Sequence, residues 1–300
     1  MRRTWGVLLQ LGLLWACDRG RPHGGPAYQV AAPEQGVHSL VLAIHPLHNP
    51  AKLNEAYAPL VAHLNREFPE FRIELEASRD YATFEAKVRE GRPNLLLPNP
   101  WQALQAMKHG YTVIATAGDP SDFRGIFVVR KDSPLRSPAD LRGQTVSYPA
   151  PTALAACLMP QEFLHRHGLD IRRDLRNHYV GSQESSIMNA YLKLSAAGAT
   201  WPPPWRAFQA EHPKEAAELE VRWETPPLIN NAVMVRKDFP PALAEGLARC
   251  LAGLHEHPEG RRILAGIQTS RFYRASDRDY DRVRTFVQRF EAKIRKVEEP

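Results

Sequence analysis

Residues 126–143 read IFVVRKDSPLRSPADLRG, and the organisation of the chain follows outward from this stretch. Ile126 to Val129 is an unbroken apolar run of strand length that leaves on the charged turn Arg130-Lys131-Asp132. Ser137 with Pro138 has the chemistry of a helix N-cap followed by proline in the first turn, which predicts a short helix through Leu141. The same strand and turn return as AVMVRKDFP at residues 232–240. A spacing of about one hundred residues is too long for a stacked repeat, whose periods run from about 20 to 50. Two similar strands, each leaving on a charged turn into proline, read instead as paired crossings between two lobes.

Around this stretch, strand and helix patterns alternate. Leu40 to Ile44 is a continuous apolar run, and Leu53, Tyr57, Leu60, Val61 and Leu64 follow at helical spacing. Phe71, Ile73 and Leu75 alternate with charged residues as in a half-buried strand, and a helix from Tyr81 to Glu90 stops at Gly91. Leu95 to Leu97, Tyr111 to Thr116, Val146 to Tyr148, Asn177 to Val180 and Glu220 to Trp223 are further predicted strands. Tyr280, Val283, Phe286, Val287, Phe290, Ile294 and Val297 form one stripe, which predicts a C-terminal amphipathic helix. Such alternation means an α/β fold.

Length and composition agree. The chain has 300 residues, 43% apolar and 24% charged, which at roughly 150 residues per domain gives two domains with a sizeable core. Mean hydropathy is −0.41, and no window after the first twenty residues approaches the roughly 18 apolar residues of a spanning helix. The net charge of +6 is the small difference of 39 basic and 33 acidic residues mixed along the chain, which argues against a nucleic-acid surface. No P-loop, dinucleotide fingerprint or Gly-x-Ser-x-Gly elbow is present, so no enzymatic activity and no cofactor are expected. His45-Pro-Leu-His48 lacks a Cys/His partner cluster and reads as a loop, so no metal site is expected either.

The first residues predict export. Arg2 and Arg3 precede the apolar run Trp5–Ala16, the pattern of a signal peptide over residues 1–16. It ends Leu14-Trp15-Ala16-Cys17, which resembles the lipobox of bacterial lipoproteins; the resemblance implies a lipid on Cys17 and, through Asp18, retention on the inner membrane facing the periplasm. A plain secretory signal cut nearby is the alternative. Residues 17–38 are rich in Gly and Pro without periodicity and read as the lipidated N-terminus and a flexible tether. Cys157 and Cys250 read as two separate buried thiols; the spacing alone does not decide whether they pair.

Several motifs then fall in one order: Asn54 to Leu64, Ser78 to Tyr81, Asn99-Pro100-Trp101, the segment DSPLRSPADLRG, Gly168-Leu169, Gly181-Ser182, and Pro226 to Asn231. In this order the chain resembles the phosphonate/phosphate/phosphite family of periplasmic substrate-binding proteins, receptors of ABC importers, over roughly residues 39 to 260. The resemblance implies a two-lobed periplasmic binding protein fold of type II-like form, a ligand crevice between the lobes, and two hinge strands near Arg130 and Arg236. On this reading residues 39–130 and 231–300 make lobe 1, and residues 131–230 make lobe 2.

The family's anion contacts do not carry over. Its Ser-Thr-Ser-Gly helix start falls on Ala153-Leu154-Ala155-Ala156, its histidine on Gln183 and its ligand-binding aspartate on Ala197. Trp201-Pro202-Pro203-Pro204-Trp205 replaces a polar loop. With Tyr81, Trp101 and Tyr148 these residues are expected to line a wide apolar crevice, where Tyr81, Asn99, Thr152 or Gln183 would orient a ligand hydroxyl. The expected function is a periplasmic carrier of an apolar or amphipathic molecule, a lipid or sterol, similar to bacterial sterol-carrying binding proteins of this fold class. Its partners would be an inner-membrane transporter or a lipid-transfer protein. The alternative is a phosphonate, phosphate or phosphite receptor using backbone donors and Thr152.

Overall fold

The computed structural model describes residues 38–298, so the expected signal peptide, Cys17 and nearly all of the tether lie outside the described residues. The chain first alternates β1 (His38–Ile44), α1 (Pro50–Glu67), β2 (Phe71–Glu76), α2 (Tyr81–Arg89), β3 (Leu95–Leu97), α3 (Pro100–Lys108) and β4 (Tyr111–Ala117). It continues through β5 (Ile126–Arg130), β6 (Thr145–Tyr148), α4 (Met159–Arg166), β7 (Arg176–Tyr179), α5 (Gln183–Tyr191), β8 (Ala197–Thr200), α6 (Pro202–Glu211), α7 (Pro213–Ala217) and β9 (Leu219–Glu224). β10 (Ala232–Arg236), α8 (Pro241–Gly253), α9 (Pro258–Gly266), β11 (Phe272–Arg274) and α10 (Asp281–Lys293) close it.

Two sheets result, in the orders β11-β4-β10-β3-β1-β2 and β7-β6-β8-β5-β9. β1 is parallel to β2 and β3 on its two sides, and β6 is parallel to β7 and β8 in the same way. In each sheet the chain therefore winds one way and then the other about a central strand. That reversal opens a crevice at the carboxyl ends of the parallel strands, where α/β sheets bind ligands. Local sequence supports the arrangement. The stripe Leu53, Tyr57, Leu60, Val61 and Leu64 is the buried face of α1, whose first turn is capped by Asn49, accepting from the Lys52 N–H at 3.0 Å. Each fully buried large apolar side chain, such as Leu53, Leu60 or Phe84, contributes about 1.5–3 kcal/mol.

The chain passes between the sheets at residues 118–125 and returns at 225–231. The two crossings are tied together. Gly125 N–H donates to Thr225 Oγ1 and Thr225 N–H to Gly125 O, both at 2.9 Å, and Leu228 N–H donates to Phe123 O at 2.9 Å. Gly118 has φ +81, and a Cβ there would meet Asn230 Nδ2 at 2.7 Å, so both backbone and packing call for glycine. β5 belongs wholly to the second sheet, and Arg130 and Arg236 stand at the strand ends far from the crossings. The lobe division expected at residue 130 and the hinges expected near the two arginines therefore differ from the observed crossings. The echo repeats the strand that follows each crossing, not the crossing itself.

Other differences have local causes. The C-terminal stripe was expected to continue in a helix through Val297, but α10 ends at Lys293 and Ile294 takes φ −120, ψ −70, so the buried Val297 lies beyond the helix. Trp201 to Trp205 is not a loop: Trp201 holds the N-cap position of α6, whose first-turn positions need no N–H partner and accept prolines. β8 escapes a pattern search because it reads Ala-Gly-Ala-Thr; a Cβ on Gly198 would sit 2.2 Å from Ser186 O, so packing demands the small residue that weakens the signal. Cys157 and Cys250 do not pair and are free thiols among the described residues; Cys157 is buried, whereas Cys250 is only half-buried beside His63.

Candidate functional site

Both switch points open onto one small crevice. The first sheet contributes His45 just past β1, Tyr81 opening α2 after β2, Asn99 capping α3 after β3, and Asn231 at the entry to β10. The second contributes Ala153–Ala156 after β6, Gln183 opening α5, and Trp201 capping α6 after β8, with Phe123 of the first crossing between them. The lining encloses about 10 Å³, roughly the room one water needs.

The first wall is polar and uncharged. His45 is buried, with Nδ1 2.8 Å from Leu97 O. A carbonyl only accepts, so Nδ1 holds the proton and Nε2 the lone pair. Burial lowers the pKa of His45 to about 4, so the imidazole is neutral. Burial also pushes the Tyr81 hydroxyl well above its ordinary value, keeping it a donor. Thr200 Oγ1 donates to Gln183 Oε1 at 2.8 Å, which orients the amide so that Nε2 donates to Tyr81 OH at 3.3 Å. Asn99 caps α3 by accepting from the Gln102 N–H at 3.0 Å, and its Nδ2 donates to Thr152 O at 3.3 Å. Asn231 is 3% exposed and its Oδ1 has no partner among the described residues. An unpaired buried amide oxygen costs about 1–3 kcal/mol.

The second wall works through its backbone. Leu154–Leu158 forms one π-helical turn that runs directly into α4. Its first bonds run from the N–H groups of Cys157 and Leu158 to Ala153 O, at 2.7 and 3.1 Å. The N–H groups of Leu154, Ala155 and Ala156 precede them and have no acceptor within the helix, at the end where the helix dipole is positive. The side chains of Ala153, Leu154, Ala155 and Ala156 are buried, and Trp201 packs on Phe123 with ring centroids 5.4 Å apart.

Of the residues expected to form the site, Tyr81, Asn99, Ala153, Leu154, Ala155, Gln183 and Trp201 meet here. Trp101 lies in the core in the first turn of α3, Tyr148 is fully buried at the end of β6, and Ala197 is a core residue of β8 paired with Val146. Thr152 stands behind the crevice, its Oγ1 donating to Glu85 Oε1 at 2.7 Å; burial raises the pKa of that carboxyl. His45, Asn231 and Phe123 were not expected, because His45 reads as one half of a loop motif until β1 is known to end beside it. A wide apolar crevice is not supported: the alanines pack into the core, and the remaining space is that of one water.

Other features do not join the site. Glu184, Glu211 and His212 bring ligand atoms within 4.8 Å of one another. Their partners are already present, however: Lys52 pairs with Glu211, and His212 lies 3.3 Å from Glu184. A surface cavity of about 580 Å³ lies at the opposite, amino-terminal edge of the second sheet, beside Thr145, Arg176 and Ala196.

Comparison with known proteins agrees with this geometry. Residues 42–280 match the family described as ABC transporter, phosphonate, periplasmic substrate-binding protein. The chain belongs to this family. It is 23% identical over 184 residues to a protein of Prochlorococcus marinus (strain MIT 9301) named as the probable ABC transporter phosphite binding protein PhnD1; the match covers 57% of this chain and 62% of that one. The fold is similar to that of PhnD1 from the same organism, solved in complex with methylphosphonate, at TM-score 0.76 and 18% identity over 84% of this chain and 98% of that one. It is equally similar to a binding protein component of an ABC phosphonate transporter from Pseudomonas aeruginosa, at TM-score 0.76 and 15% identity, covering 86% and 88% of the two chains.

Proposed function

We propose that this periplasmic binding protein is the receptor for a small, singly protonated oxyanion of the phosphonate or phosphite class, which it delivers to an ABC importer in the inner membrane. The observation that carries this reading is the meeting on one crevice of a helix start, whose Leu154–Ala156 N–H groups have no acceptor within the helix, and a neutral polar wall that includes Asn231 Oδ1, unpartnered among the described residues. Helix-start N–H groups hold anionic oxygens without a charged side chain. His45 Nε2 and Asn231 Oδ1 are acceptors, and suit the proton that a hydrogen phosphonate or hydrogen phosphite still carries. Phe123, Leu154 and Trp201 offer apolar contact for a small substituent on phosphorus. Entry requires the sheets to part about residues 118–125 and 225–231 and to close again. The lipid or sterol carrier suggested by the alanines lacks support: the family match is to phosphonate receptors, and the alanine side chains are buried in the core. Residues 1–17 fit a periplasmic chain anchored by lipid on Cys17, which intact-mass analysis of the mature protein would check.

Titration calorimetry tests the ligand class. Methylphosphonate or phosphite should bind with micromolar or tighter affinity. Sulfate, which brings no proton to the two acceptors, should bind at least about tenfold more weakly. Failure of methylphosphonate, phosphite and phosphate alike to bind would sink the reading.

A further inference from the structure

Among the described residues no charged side chain lines the crevice, yet a guanidinium lies directly behind its backbone wall. Arg295 follows α10, in the segment that leaves the first sheet's last helix and runs onto the elements of the second. It is 4% exposed. Its five N–H groups are all taken by neutral acceptors. Nε donates to Gln161 Oε1 at 2.9 Å, and Nη1 to the carbonyls of Lys296 and Val297 at 2.9 and 2.8 Å. Nη2 donates to Pro151 O at 2.9 Å and to Cys157 Sγ at 3.6 Å. No donor is left for a carboxylate, and Arg295 makes no ion pair among the described residues.

A buried cation with only neutral partners is costly to keep. Its place makes that cost intelligible. Pro151 and Cys157 bracket residues 153–156, which line the crevice at a helix start where the N–H groups of Leu154–Ala156 have no acceptor within the helix. We propose that Arg295 is the fixed positive charge of the oxyanion site: a positioning residue that holds the 151–157 turn from behind and attracts the anion through it. This inference rests on the oxyanion reading of the crevice. It assigns the attraction that the family's histidine, replaced here by Gln183, no longer supplies to a residue from the far end of the chain. A charge placed behind the backbone can draw an anion in without offering it a direct ion pair, which leaves recognition to the N–H groups and the neutral acceptors.

The test uses methylphosphonate with the soluble chain and its variants R295Q and R295K. R295Q should weaken binding on the order of tenfold, while the ligand-free melting temperature reports any structural loss separately. R295K restores a charge that, when buried, titrates in an accessible range. Its affinity relative to the wild type should therefore fall between about pH 6 and pH 10, whereas arginine stays protonated throughout. The titratable groups facing position 295 are Tyr148, Cys157 and Tyr179. Burial holds Cys157 and Tyr179 at about 12 and Tyr148 well above its ordinary value, so they stay protonated over that range. Glu291, Lys296 and Glu298 are the charged neighbours on its own segment, and Glu162 pairs with Arg289 at 3.3 Å beyond Gln161. R295Q binding within twofold of the wild type would overturn the proposal. Should R295Q not fold, an R295K-to-wild-type ratio that does not change with pH would overturn it. If the wild type itself binds no oxyanion, the reading of the crevice falls, and this inference with it.

Discussion

The two walls of the crevice hold equivalent places in their sheets but work through different atoms. His45, Tyr81, Asn99 and Asn231 face the crevice from the first sheet with polar side chains. Ala153–Ala156 line it from the second, where their side chains join the core and the N–H groups of Leu154, Ala155 and Ala156 have no acceptor within the helix. The difference teaches how to read a lost motif. Replacing hydroxyl residues by alanine at a helix start removes side-chain donors but leaves every backbone donor and the helix dipole in place. Alanine there changes the strength of an anion site before it changes its kind.

That contrast can be broken or sharpened by experiment. The largest effect is expected where the walls meet: Trp201→Ala removes a buried ring packed on Phe123 and should destabilise by about 3–5 kcal/mol in denaturant unfolding. A loss below about 1 kcal/mol would mean the closed crevice is not held by this contact. Acid comes next. His45 and His48 are both held at about 4, below their ordinary 6.5. The unfolded chain then takes up protons first, so the stability they contribute is complete above about pH 6.5 and lost as pH falls towards 4. The loss is on the order of 3 kcal/mol for His45 and less for His48, which is not fully buried. Thermal melts from pH 7 to 4 should show it, and His45→Gln should flatten the curve.

On the polar wall itself, Asn231→Asp places a carboxylate against the anion. Methylphosphonate affinity should fall about a hundredfold, or about 2.7 kcal/mol, by calorimetry. An unchanged affinity would remove Asn231 from the site. Tyr81→Phe deletes one donor and leaves Gln183 Nε2 without its partner, for a loss of about tenfold. The smallest change is expected on the backbone wall. Ala155→Ser keeps the N–H that matters, and affinity should stay within about threefold of the wild type. A large gain would show that the missing hydroxyls, not the backbone, limit binding.

Much of the fold was legible because its signals are local. The apolar runs at Leu40–Ile44 and Ile126–Val129, the stripe of α1 and the capped turn at Ser137-Pro138 each declare their structure within a few residues. β8 was not legible, since close packing of Gly198 on Ser186 O requires the small side chains that erase a strand signal. The site was half legible. Tyr81, Asn99 and Gln183 were identified as polar candidates. His45 and Asn231 were passed over because their role depends on where β1 ends and β10 begins. Trp101, Tyr148 and Ala197 do not line this crevice, because they stand on elements that turn them into the core.

Sequence alone determined that strands and helices alternate and that the chain resembles a phosphonate-receptor family. Those properties rest on periodicity and on ordered short motifs, which tertiary contacts do not alter. Only the tertiary structure decided where the crossings lie, how little space the crevice holds, and that Arg295 stands behind Ala153–Ala156. Each of these depends on the meeting of residues a hundred or more positions apart, and no local pattern encodes the distance between them.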